Sequence, residues 1–350
     1  MSRLSLKFSV VLAVISVLAG TSAGATAQAT KDYYAGRSIN VIVPFDPGGY
    51  YDIGARLLAR HLGRHIPGRP NVVVQNQPSV GGIGLANRFA AGAEADGTTV
   101  GVLQRAIPQY AFIGYQNARF DPMKLSWIGS LSAYETDSYV LVVNASHPVS
   151  SLAELKSGAI KTRLGAGRAG SANLIFALVA KDLFSLQFDI VRGYPGTAPI
   201  FLALQRVEVD GLMADFSTIK ASLANLWSEK KIRAIVQFGR KTRHPDLADV
   251  PTARELVQAP EERAFLEFAE LPFFMALPLA GPSGIPPERL DALQKGFMAM
   301  AEDPAFLNDA KAIHFDVDPI SGQAVVKAIS EASKTPPAVM DRFSKLVADR

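Results

Sequence analysis

The stretch Val43-Pro44-Phe45-Asp46-Pro47-Gly48-Gly49-Tyr50-Tyr51-Asp52 decides how this chain folds. Upstream, Ile39-Asn40-Val41-Ile42-Val43 is an apolar run that reads as a strand. Downstream, Ile53-Gly54-Ala55-Arg56-Leu57-Leu58-Ala59-Arg60 has helical spacing. Asp52 reads as the N-cap of that helix, its carboxylate accepting N–H groups of the first turn. Gly48 and Gly49 leave backbone N–H groups sterically open. A strand, a Gly-rich turn and a helix N-terminus in that order make a place to hold an anion.

The arrangement recurs. Gln75-Asn76-Gln77-Pro78-Ser79-Val80-Gly81-Gly82-Ile83-Gly84 follows the strand Asn71–Gln75 and opens a helix around 84–91. Two such loops in one sheet would present two sets of N–H groups from the same edge. A third loop, Gly165-Ala166-Gly167-Arg168-Ala169-Gly170-Ser171, fits the dinucleotide pattern G-x-G-x-x-G before a helix at 172–184. Against a nucleotide, the motif is mid-chain, and Asp189 stands at the start of its strand, where a ribose-binding acid belongs at the end. Arg168 and Ser171 stay candidates for an anion clamp, Arg through its bidentate fork.

The rest of the composition narrows the class. The 350 residues are 48% hydrophobic and 19% charged, a globular composition with enough chain for one large or two modest domains. Arg3 and Lys7 precede an apolar run from Phe8 to Ala19, and Ala27-Gln28-Ala29 supplies an A-x-A site, so 1–29 reads as a cleavable secretory signal peptide. The remaining 34 basic and 32 acidic residues leave +2 and no basic stripe, so nucleic acid is not expected as a partner. Without cysteine, thiol catalysis and Cys-ligated metals are excluded, and the core must hold the fold.

Strands and helices alternate, in two blocks at about 36–130 and 139–240, which indicates mainly parallel sheets covered by helices. Strands are expected at Val207–Asp210 and Phe273–Leu277, and a final helix near Gly322–Leu346. A C-terminal segment returning to the first lobe gives domain 1 as 30–136 plus 272–350 and domain 2 as 137–271. A ligand would sit between the lobes, facing the carboxyl ends of strands.

Catalytic signatures are missing. His61 and His65 are spaced for one metal, but Leu62 stands where an H-E-x-x-H site needs Glu, and both read as surface imidazoles on a basic helix face. No metal or cofactor is expected. There is no G-x-S-x-G, and the acid pairs Glu261-Glu262 and Glu302-Asp303 read as solvated helix faces. Asp46, Glu135, Asp137 and Asp215 lie near strand ends, where capping, ligand recognition and acid/base work stay open.

Taken in order, these motifs resemble the periplasmic solute-binding proteins of tripartite tricarboxylate transporters, the Bug or TctC-like family. The likeness covers nearly all of the chain after residue 29. It includes the two Gly loops, Ala95-Asp96-Gly97-Thr98-Thr99, Phe120-Asp121-Pro122, Gly193-Tyr194-Pro195-Gly196-Thr197-Ala198-Pro199, Pro245-Asp246-Leu247-Ala248-Asp249-Val250-Pro251-Thr252 and Ala280-Gly281-Pro282-Ser283-Gly284-Ile285-Pro286. The resemblance implies a type II-like, two-lobed α/β binding protein that closes like a flytrap on a small carboxylate. A non-enzymatic monomer is expected, one that would deliver its ligand to membrane permease subunits or report it to a sensor. The first two loops would act as pincers through Gly48, Gly49, Tyr50, Tyr51 and Asp52, and through Val80, Gly81 and Gly82. The loop with Arg168, Gly170, Ser171 and Asn173 would meet the ligand's distal end. Tyr50 and Tyr51 stand where the family is usually small or polar, Asp46 sits in a loop meant for a carboxylate, and Arg168 replaces a small residue. A non-anionic or aromatic ligand, and a two-lobed hydrolase, remain the alternatives.

Overall fold

A computed structural model of the protein describes residues 30, 33–78, 82–92, 94–115, 118–132, 137–313 and 315–348. The signal peptide expected at 1–29, together with Val80, Gly81 and Glu135, lies outside the described residues. The strands are β1 Ser38–Val43, β2 Asn71–Asn76, β3 Thr99–Val102, β4 Ser126–Ser130, β5 Tyr139–Asn144, β6 Arg163–Gly167, β7 Asp189–Tyr194, β8 Gly211–Asp215, β9 Ile232–Phe238, β10 Pro278–Gly281 and β11 Ile320–Ser321. They form two sheets, one in each of two α/β units. No helix among the described residues is long and apolar enough to cross a membrane.

Unit 1 runs to Ile107 and takes in Ala118–Leu131 and Leu277–Val326. Its sheet has the order β11-β4-β10-β3-β1-β2. β1 pairs in parallel with both β2 and β3, so the carboxyl ends of all three meet one edge. β10 slots antiparallel between β3 and β4, after the chain has built the other unit. Val41, Val43, Val100 and Val102 pack with Leu57, Leu58 and Leu62, and all seven are at most 1% exposed. That contact docks the helix Tyr50–Leu62 on the sheet.

Unit 2 comprises Pro108–Asn117, Ser132–Ala276 and Lys327–Arg350. Its sheet has the order β7-β6-β8-β5-β9, with β6 parallel to β7 and β8 and β5 antiparallel to β8 and β9. Its core is aromatic: Phe176 lies 4.5 Å from Phe273 and 5.6 Å from Phe238 between ring centroids. Burying one such side chain contributes about 1.5–3 kcal/mol, against about 0–1 kcal/mol for an exposed ion pair, so the cores hold the units and charges adjust them.

Several expectations are corrected here. Both sheets are mixed rather than mainly parallel, because β5 and β10 run against their neighbours. Phe273 lies in the last turn of the helix Pro260–Phe274 instead of opening a strand, since Phe265, Phe268, Ala269 and Phe273 bury one helical face. Residues 207–210 form a turn, with Val207 at φ 58°, and the strand begins at Gly211. The terminal helix is two, Gly322–Ser333 and Pro337–Ala348, broken where Pro336-Pro337 removes two N–H donors. Residues 108–117 and 327–350 group with unit 2 rather than the first domain. Phe343 gives the reason for the C-terminus: it is 2% exposed, 5.3 Å from Phe268.

The histidines also differ from the expected surface imidazoles. His61 is 7% exposed, with Nε2 2.8 Å from Asp309 Oδ2, where Arg60 Nε also bonds at 3.0 Å. His65 Nε2 and Arg64 Nη2 reach Asp303 Oδ2 at 2.9 and 2.7 Å. Two i, i+1 Arg/His pairs thus clamp the helix Tyr50–Leu62 and its 3-10 extension to the helix Pro304–Ala312 and its cap. Hydrogen bonds from His61 and Arg60 hold the Asp309 carboxyl below its ordinary value, and the Ala305 N–H, His65 and Arg64 do the same for Asp303. The folded carboxylates therefore bind protons less readily than unfolded ones. Their contribution is complete above the ordinary carboxylate range near pH 4 and is lost as pH falls through the folded values. Asp309→Asn should melt below wild type at neutral pH, with the gap closing as pH falls through and below the ordinary carboxylate range near pH 4. Calorimetric melts across that range check this, and a gap unchanged at low pH contradicts it.

Candidate functional site

The edge formed by the carboxyl ends of β1, β2 and β3 gathers three connections, of which 44–49, 77–78 with Gly82, and 103–106 are described. The first is shaped by Gly48 at φ 89° and by Gly49, the true N-cap of the helix Tyr50–Leu62. Asp52 is therefore not the N-cap but the third helical residue. Its side chain reaches back: Oδ2 accepts the Gly48 N–H at 2.8 Å and Arg56 Nε at 2.9 Å, and Oδ1 accepts Asn76 Nδ2 at 2.8 Å. Burial pushes the Asp52 carboxyl up, but the bonds from Arg56, Gly48 and Asn76 outweigh it and hold the group below the usual carboxylate range. The helix's own ladder begins at Ile53, whose N–H donates to Gly49 O at 2.9 Å. The N-terminal turn ahead of it carries the positive end of the helix dipole.

The two tyrosines divide their roles. Tyr51 stacks on Phe45 with centroids 4.6 Å apart, and its hydroxyl accepts the Arg105 N–H at 3.2 Å. Tyr50 meets Tyr51 edge-on, stacks on Phe315 at 5.2 Å, and remains 44% exposed. Asp46 is exposed in the same loop.

Of the second loop the structure describes Gly82, which sits at φ 73° as the N-cap of the helix Ile83–Ala90. A Cβ there would stand 3.3 Å from Pro44 Cγ and 3.6 Å from Gln104 Cβ, so all three loops converge at this glycine. Gln104-Arg105-Ala106 escaped the sequence reading. The signal was present, since these residues follow the strand ending near Leu103 just as the Gly loops follow theirs.

In unit 2 the carboxyl ends of β6, β7 and β8 share an edge. The loop 168–171 leads from β6 into the helix Ala172–Phe184, with Gly170 at φ 81° near the Tyr115 hydroxyl. Asn173 is turned to the loop itself: its Oδ1 accepts the Gly167 N–H at 2.9 Å and the Ser171 hydroxyl at 2.8 Å. Arg168 is exposed, and among the described residues no carboxylate pairs with it. It presents a whole guanidinium at the sheet edge. Asp189 is the first residue of β7, at the far end from this loop, which leaves the glycine motif without a ribose-binding acid. Burial raises the Asp137 carboxyl, against donation from Ser217, and the Asp215 charge raises it further. Asp137 is spent on the helix Phe216–Ser222, accepting the Ser217 N–H at 3.0 Å. Among the described residues no cluster of three His, Asp or Glu could hold a metal.

Gly48 and Gly49 offer a contrast that checks the first loop. At Gly49, φ is −85° and an added Cβ meets nothing within 4 Å, whereas Gly48 lies in the left-handed region. Gly49→Ala should leave stability within about 0.5 kcal/mol of wild type, and Gly48→Ala should cost about 1–2 kcal/mol. Urea titration of both variants decides it, and equal costs would mean the loop is not held as described.

Comparison with known proteins bears on what this edge does. The sequence matches the profile of the TctC family, described as "Tripartite tricarboxylate transporter family receptor", over residues 55–344. It is 29% identical to protein BugT of Bordetella pertussis over 353 residues, covering 97% of this chain and 93% of BugT. A TctC solute-binding protein from Polaromonas shares the fold with a TM-score of 0.68 at 19% identity, covering 91% of this chain and all of that one, 100%. MatC from Rhodopseudomonas palustris, with bound malate, aligns with a TM-score of 0.58 at 21% identity, covering 89% and 99% of the two chains. At these identities the structural likeness establishes the two-lobed α/β periplasmic binding protein fold.

Proposed function

The chain belongs to the tripartite tricarboxylate transporter receptor family, and from that membership we propose that it is a periplasmic solute-binding protein that captures a small organic acid. The observation that carries this is the edge where β1, β2 and β3 end. There two glycine N-caps, Gly49 and Gly82, open helices at converging loops. Such an arrangement concentrates N–H donors and helix dipoles on one spot and holds an anion without a protein cation. A carboxylate suits it, and a carboxylate is also what the relative MatC holds as malate.

The magnitudes fit a binding site. Each helix end contributes about 0.3–1 kcal/mol to an exposed anion, while a micromolar Kd needs about −8 kcal/mol. Most of the affinity must then come from N–H bonds shielded from water and from packing. Holding and delivery, to membrane permease subunits or to a sensor, is the role that such a balance of terms supports. A second reading, a ligand with an aromatic ring, is supported by one observation. Tyr50 is fixed by Phe315 and Tyr51 yet keeps 44% of its surface open beside the Gly49 cap.

A thermal-shift panel of malate, citrate, adipate, benzoate and putrescine tests the reading. At one hundred times Kd a specific ligand stabilises the fold by about 2.7 kcal/mol. At least one carboxylate should raise the melting temperature, and a response to putrescine alone would overturn the proposal. Gly49→Val should keep the fold, because its side chain meets open space, while obstructing the approach of a carboxylate. Arg168→Ala should weaken the best carboxylate by about 1–3 kcal/mol in calorimetry. Unchanged affinity would remove Arg168 from the site.

A further inference from the structure

Asp52 is the buried acid in the first turn of the helix that leaves a loop built for an anion, and its side chain is only 3% exposed. The position is costly for a carboxylate unless donors satisfy it. Here three do, and each comes from a different part of the jaw. The Gly48 N–H belongs to the first loop, Arg56 lies one turn further along the same helix, and Asn76 is the last residue of β2, from which the second loop departs. Asn76 closes the circuit. Its Nδ2 also donates to Phe45 O at 3.1 Å, and its Oδ1 accepts Arg56 Nη2 at 2.9 Å. One residue on, the Gln77 N–H donates to Val43 O at 2.8 Å.

We propose that Asp52, with Asn76 and Arg56, is a positioning group: an internal carboxylate that fixes the first loop and ties it to the root of the second before any ligand arrives. The Gly48 N–H is thereby turned inward and withdrawn from ligand binding, which leaves Gly49 and the helix end facing outward. Arg56 has a separate task. An unpaired Asp52 charge would repel an incoming anion at the same helix terminus, and the guanidinium 2.9 Å away cancels that field. Preset in this way, the loops need not be ordered at the moment of binding, which is where flexible sites lose affinity. This deepens the carboxylate-receptor reading and rests on it for the binding step, while the tie between the loops stands without a ligand.

The test therefore has two arms. In the ligand-free protein, hydrogen exchange at the Gly48 amide is followed by NMR in wild type, Asn76→Ala and Asp52→Ala. Its exchange should quicken about tenfold or more in both variants, and the wild-type Gly48 amide shift should titrate only below the ordinary carboxylate range, near pH 4. Unchanged exchange in both variants would overturn the tie. In the second arm, malate, citrate and adipate are titrated calorimetrically against the same proteins and Arg56→Gln. Each single variant should bind about tenfold more weakly than wild type, and Asp52→Ala/Asn76→Ala little worse than either alone, because the two act in one network. The Arg56→Gln loss should shrink in high salt, which screens the exposed repulsion. If Asp52 instead faced the ligand, Asp52→Ala would tighten the binding of an anion. If the network were only structural, melting temperatures would fall while the folded protein bound as wild type. Wild-type protein that binds none of the three acids would count against the receptor reading, and the exchange result would still decide the tie.

Discussion

Parallel pairing of β1 with both β2 and β3 is the constraint on which the rest of unit 1 depends. Parallel neighbours end on the same side, so three successive connections must leave the sheet at one edge. Each connection then has to turn sharply into its next element. Glycine satisfies that demand at Gly48 and Gly82, where φ is 89° and 73°, because a side chain there would be strained. The same turns leave helix N-termini pointing at the edge. The positive ends of helix dipoles are thus brought to this edge by topology before any side chain is chosen.

Side chains then refine what topology provides. Asp52, Arg56 and Asn76 consume polar groups that an isolated reading of the loop would assign to a ligand. Tyr51 is drawn into a stack with Phe45 and a hydrogen bond from Arg105, and Tyr50 is left as the accessible ring. In unit 2, Ser171 and Asn173 hold their own loop in shape, so Arg168 is the side chain there with a charge to offer. A recurring economy is visible: polar residues next to a glycine turn hold the turn, and backbone and outlying side chains face outward.

The errors of the sequence reading have the same physical origin. Phe273-Phe274-Met275-Ala276-Leu277 is an apolar run short enough for a strand, and only the aromatic partners Tyr139 and Phe176 reveal that Phe273 is the last contact of a helical face. His61 and His65 stand among arginines and look solvated, yet Asp309 and Asp303, more than two hundred residues away, draw them in. The loop after β3 carries no glycine, so only its place after a strand marked Gln104 and Arg105. Their role follows from β3 lying beside β1. Each miss involves a partner far along the chain, and local pattern carries no information about such partners.

What the sequence determined by itself was the alternation of strands and helices, the glycine turns at strand ends, and the family to which the order of motifs belongs. These are local properties, written in the period of apolar residues and in the few side chains that tolerate left-handed backbone. What only the tertiary structure decided was which groups remain available. It showed that Gly49 rather than Asp52 caps the first helix, that Asp52 is satisfied from within, and that β5 and β10 run against their neighbours. Hydrogen bonds are exclusive and close packing is non-local, so the availability of a donor is known only when every competitor for it has been placed.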